Sequence, residues 1–114
     1  KTSLTNVSLP SSLRSLDLGF RFDESLNGLA LPQTLQTLTL GHNFNQSLTG
    51  VTWPSTLRKL VFGESFNQSL VGVFPVPFPS LESLTLGSNF NQSLEAVSLP
   101  QNIRSLKFGN RFNQ

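Results

Sequence analysis

The sequence predicts an all-β repeat solenoid: one domain over residues 1–114, in which about five 22-residue coils stack through a parallel β-sheet with no or almost no α-helix. Three observations carry this reading. Phenylalanine recurs at Phe22, Phe44, Phe66, Phe90 and Phe112, at spacings of 22, 22, 24 and 22; self-similarity at a period of roughly 20–50 residues marks a solenoid or similar array. Ahead of each of these phenylalanines runs one pattern, L-x-x-L-x-L-G, in the forms LRSLDLG, LQTLTLG, LRKLVFG, LESLTLG and IRSLKFG. Finally, Pro10, Pro32, Pro54 and Pro100 interrupt the rest of the unit, where they deny a helix its backbone donor.

The units fall at 1–22, 23–44, 45–66, 67–90 and 91–112. Within each, apolar residues two apart at the end of L-x-x-L-x-L predict a short half-buried strand. Stacking then aligns Leu16, Leu38, Leu60, Leu84 and Leu106 in one buried row. Glycine follows the strand every time, at Gly19, Gly41, Gly63, Gly87 and Gly109, which implies either positive φ or a close backbone approach at a sharp turn. The V-x-L-P stretch reads as a second extended side, so each coil is expected to have two sides and two corners. The two additional residues of the fourth unit lie in FPVPFPS, Phe74–Ser80, a proline-rich surface loop.

The corner sequence is FNQSL at Phe44–Leu48, Phe66–Leu70 and Phe90–Leu94, with FDESL at Phe22–Leu26. The phenylalanines should form a buried aromatic column, each ring on its neighbour. Beside it, Asp23, Asn45, Asn67, Asn91 and Asn113 should form a buried ladder, because a side-chain amide can satisfy corner backbone groups above and below. Each NQS also fits the N-glycosylation acceptor pattern; on this reading burial withholds those asparagines, and Asn6, in NVS, is the better acceptor.

Taken whole, LPxxLxxLxLGxxFNQSL resembles the FNIP class of leucine-rich repeat across essentially the entire chain. It is more loosely similar to BspA-like leucine-rich repeats, through the rhythm P-x-S-L … G-x-x-F. Serine follows FNQ here, where FNIP repeats usually carry proline. Both resemblances imply stacked β-coils. Leucine-rich repeats in general imply protein binding, while the FNIP class implies no particular activity.

The inventory of reactive groups points away from an enzyme. Cysteine is absent, which removes thiolate nucleophiles and the usual structural zinc sites. The single histidine, His42, has no counterpart in other coils, and no phosphate-binding glycine loop occurs. No cofactor is expected. No apolar run approaches the roughly 18 residues of a membrane span. The net charge of +2 and pI of 9.7 permit nucleic acid without suggesting it.

Variation within a repetitive chain marks the surface that recognises something. The variable strand-side positions of the first two coils include Arg14, Asp17, Phe20 and Arg21, then Gln36, Thr39 and His42. The third contributes Arg58, Lys59 and Val61, the fourth Glu82 and Thr85, and the fifth Arg104, Lys107 and Arg111. Seven of the eight basic residues lie on this side of the coils, against three acids, which favours a protein partner with an acidic surface. Phe20 is placed as an exposed contact residue and Trp53 as a substitute for a core leucine. The alternative is a structural element stacking end to end with other chains, because Leu4, Val7 and Leu9 at one end, and Leu106, Phe108 and Phe112 at the other, have no capping segment. The chain is accordingly expected to be a segment of a longer array, or to have its ends covered by other chains.

Overall fold

The computed structural model describes residues 9–26, 31–48, 50–74, 80–94, 97 and 102–109. Five three-residue strands, β1 (Ser15–Asp17), β2 (Thr37–Thr39), β3 (Lys59–Val61), β4 (Ser83–Thr85) and β5 (Ser105–Lys107), form one parallel sheet in chain order. The chain therefore winds as a parallel β-solenoid of about four turns, with no helix among the described residues. The register places Leu16, Leu38, Leu60, Leu84 and Leu106 in one row. Its three middle members are fully buried and its two end members half-buried, since each end leucine has a neighbour on one side only.

The core is built from rows of equivalent residues. Leu35, Leu57 and Leu81 form one row, Leu40, Phe62 and Leu86 a second, and Leu26, Leu48 and Leu70 a third, all buried. Phe22, Phe44, Phe66 and Phe90 stack in a column with centroid separations of 5.8, 6.1 and 6.1 Å and nearly parallel planes, the offset geometry that aromatic rings favour. Phe112 lies outside the described residues. Trp53 is buried beside Phe74, and its indole N–H donates to the Val73 carbonyl at 2.9 Å, so the polar edge of this core substitution is satisfied. The 24-residue step from β3 to β4 leaves the Leu60–Leu84 register intact. Most of the FPVPFPS loop assigned to that step, residues 75–79, lies outside the described residues.

The coil differs from the expected two-sided outline. Val51–Pro54, the one V-x-L-P-type stretch described in full, joins no sheet. Instead the coil turns at three kinds of corner, each closed by an N–H donating to the carbonyl three residues earlier. Leu35 N–H donates to Pro32 O at 3.1 Å, Phe44 N–H to Gly41 O at 3.2 Å, and Val51 N–H to Leu48 O at 3.2 Å. The last corner has Gly50 at its third position with φ 86°, and Gly72 repeats it with φ 72°, as a type II turn requires. Three turns in 22 residues leave length for only one paired side.

The glycine column after the strands is explained mainly by space. A Cβ on Gly63 would sit 2.4 Å from the Gly41 carbonyl oxygen, and Gly87 meets Gly63 in the same way at 2.2 Å. Only Gly19 in this column has positive φ. A hydroxyl ladder also binds the coils. Thr34 Oγ1 donates to Leu13 O at 2.7 Å, Thr56 Oγ1 to Leu35 O at 2.7 Å, and Ser80 Oγ to Leu57 O at 2.8 Å.

Candidate binding surface

The strand-side residues are carried on a ladder that extends beyond the strands. Gln36 N–H donates to Arg14 O at 2.7 Å, Arg58 to Gln36 at 2.8 Å, Glu82 to Arg58 at 2.9 Å and Arg104 to Glu82 at 2.7 Å. Beyond the strands' far ends, Asn43 N–H donates to Phe20 O and Ser65 N–H to His42 O, both at 3.0 Å. The side chains therefore project from backbone fixed on both flanks.

Arg14, Asp17, Phe20, Arg21, His42, Arg58, Lys59, Glu82, Arg104 and Lys107 are exposed, whereas Gln36, Thr39, Val61 and Thr85 are half-buried in the sheet face. Arg111 lies outside the described residues. Charge is distributed unevenly across this face. Arg14, Arg58, Lys59 and Arg104, with the single acid Glu82 between Arg58 and Arg104, occupy the side where the strands begin, while Asp17 and Glu64, together with Arg21 and Lys107, lie toward the side where they end.

On that second side an open groove of about 410 Å³ crosses three coils. Asp17, Thr39 and Val61, aligned by the sheet register, line one side; Phe20, His42 and Glu64 line the other; Gly41 and Gly63 lie between. Phe20 is 63% exposed and stacks on His42 at 4.5 Å with planes 12° apart. His42 Nδ1 lies 3.0 Å from Asn43 Oδ1, a pairing in which the imidazole donates, so the ring is held on both a face and an edge. Asp17 Oδ1 accepts the Gly19 N–H at 2.9 Å. Glu64 Oε1 accepts the Ser88 N–H at 3.4 Å; the Ser88 hydroxyl and N–H, followed by the nearness of His42, hold the Glu64 carboxyl below its ordinary range.

The asparagine ladder is present, but it is not buried as expected. Asn67 and Asn91 are exposed and Asn45 and Asp23 half-buried, because the amides run along the outer edge of the corner. Each side-chain oxygen accepts two donors from the following coil. Asn45 Oδ1 takes Asn67 N–H at 2.8 Å and Gln68 Nε2 at 3.1 Å; Asn67 Oδ1 takes Asn91 N–H at 2.9 Å and Gln92 Nε2 at 3.0 Å. Asp23 does the same for Asn45 and Gln46 at 2.8 and 2.9 Å. Shielding of these asparagines from glycosylation therefore cannot rest on burial. Asn6 and Asn113 lie outside the described residues. The glutamine partners were not anticipated, although Gln46, Gln68 and Gln92 recur in phase; the hydroxyl ladder had the same signal in Thr34, Thr56 and Ser80.

Among the described residues no group of His, Asp and Glu could hold a metal ion, and no helix is long and apolar enough to cross a membrane. No curated protein matches the chain. The profile of the FNIP Repeat family matches residues 2–43, 44–89 and 90–114, each match beginning close to a recurring phenylalanine or to the start of the chain. With those matches spanning nearly every residue and the repeating rows of leucine, phenylalanine and asparagine stacked coil on coil, the chain belongs to the FNIP repeat family.

Proposed function

We propose that this protein is a non-enzymatic binding scaffold that presents its strand face to a protein partner with an acidic surface. The observation that supports this is the set of exposed cations, Arg14, Arg58, Lys59 and Arg104, mounted on a hydrogen-bonded ladder at the side where the strands begin. The backbone that carries these cations is already ordered, so binding has only their side chains to fix, and arginine can engage carboxylates through two parallel hydrogen bonds. The repeat architecture supports the same reading, since a stack of coils offers an extended surface whose residues vary without disturbing the core.

The test is capture of partners from the source cell, comparing the wild-type chain with the double variant Arg58→Glu/Lys59→Glu. Charge reversal should weaken the complex and flatten its dependence on ionic strength. A complex that survives the reversal with its salt dependence unchanged would assign these cations to solubility alone.

A further inference from the structure

The groove beside Phe20 has the opposite electrostatic character to the cationic side of the face. Asp17 and Glu64 line it, and no lysine or arginine does, in a chain whose net charge is +2. We propose that it receives an extended basic segment of the partner, with two cationic side chains three residues apart, one against Asp17 and the other against Glu64. This inference rests on the protein-binding reading and specifies the partner's sequence at one place.

The spacing follows from geometry. Asp17 stands in the first coil on one side of the groove, and Glu64 in the third coil on the other, so the two carboxylates occupy diagonal corners. Two coil-to-coil steps of about 4.8 Å separate them along the groove, or about 10 Å. An extended segment lying lengthwise advances about 3.3 Å per residue, so residues i and i+3 are also about 10 Å apart. Successive side chains of an extended chain point to opposite sides, and an odd separation therefore directs i and i+3 to opposite walls. Residues two or four apart would meet the same wall at the wrong distance.

The chemistry of the walls fits cations with apolar stems. Phe20, stacked on His42, offers a largely exposed aromatic surface opposite Asp17, and half-buried Val61 lies on the other wall, opposite Glu64. Arginine packs its methylenes along apolar surface and its guanidinium on aromatic faces. Asp17 is held by the Gly19 N–H at 2.9 Å and Glu64 is approached by the Ser88 N–H at 3.4 Å, and an ionised carboxylate has capacity for about four hydrogen bonds.

Three hexapeptides of identical composition test this: acetyl-GRAARG-amide, acetyl-GRARAG-amide and acetyl-RGAARG-amide, with arginines three, two and four apart. Their charge is equal, so non-specific attraction does not distinguish them. In an NMR titration at low ionic strength, GRAARG should bind at least about threefold more tightly than either rearrangement. The Asp17→Asn/Glu64→Gln variant should lose about tenfold in affinity, as expected for two exposed ion pairs, and with it the spacing preference. Arg58→Glu/Lys59→Glu should keep the preference, because those residues lie outside the groove. Equal binding of the three peptides, or unchanged binding by the Asp17/Glu64 variant, would overturn the proposal. An acidic hexapeptide titrated in parallel reads the cationic surface independently: if it still binds and loses affinity on the Arg58/Lys59 reversal, the failure belongs to the groove alone. If it does not bind either, the scaffold reading fails with it.

Discussion

Replacing Asn67 by alanine removes one oxygen and two hydrogen bonds. Asn67 Oδ1 accepts the Asn91 N–H at 2.9 Å and the Gln92 amide at 3.0 Å, whereas the Asn67 N–H keeps its own acceptor on Asn45. A protein hydrogen bond contributes about 0.5–1.5 kcal/mol net, so the two together bound the loss at about 1–3 kcal/mol. Asn67 is exposed, and water can replace part of what Gln92 loses. The expected destabilisation is therefore about 1–2 kcal/mol, read as a shift in urea midpoint at unchanged slope. Asn67→Asp is the discriminating companion. It retains the acceptor, as Asp23 does for Asn45 and Gln46, and at neutral pH it should remain within about 0.5 kcal/mol of wild type. If the aspartate variant is as unstable as the alanine variant, the ladder is not held by an acceptor and the reasoning is wrong.

Three further outcomes are expected. Leu60 is fully buried between Leu38 and Leu84, so Leu60→Ala should cost about 2–5 kcal/mol by denaturation; a shift near zero would remove it from the core. Gly63→Ala places a methyl 2.4 Å from the Gly41 carbonyl oxygen, a backbone atom that cannot rotate away, and should cost about 1–3 kcal/mol; a neutral result would show that the coils can separate locally. Glu64 should titrate below an ordinary glutamate by NMR, and Ser88→Ala should move it upward, since the Ser88 hydrogen bonds are the largest cause. Because its folded-state pKa is lowered, whatever stability this contact adds is present above the unfolded pKa and is lost as pH falls through the folded one, a slope the variant should lack.

The sheet was legible because its determinants are local and repeat. Leucines two apart, glycine directly after and a constant spacing specify strand, turn and register together, and the Leu16–Leu106 row follows. The phenylalanine column was legible for the same reason. The depth of Asn67 was not, because period alone says that asparagines align but not whether the corner faces the core or solvent. Hydrogen-bonding capacity predicted the ladder; burial did not follow from it. The two-sided coil failed at Leu48–Val51, where Gly50 signals a turn that the extended reading of V-x-L-P left out of account. The groove was beyond a repeat-by-repeat reading. Asp17 and Glu64 occupy different positions in the unit and lie in different coils, so only stacking brings them to one site.

At the described junctions the amide ladder runs in one direction: Asn45, Asn67 and Asn91 each donate to the preceding coil, and Asp23, Asn45 and Asn67 each accept from the following one. The amide contact between neighbouring coils is thus the same at each of these three junctions. Copying or deleting one whole coil in the gene would leave the ladder with junctions of the same kind, while a change of a few residues must be absorbed away from the strand, as it is between β3 and β4. Length can therefore vary in whole-coil steps over evolutionary time without breaking this ladder, and each duplicated coil arrives with an unused set of surface positions free to diverge.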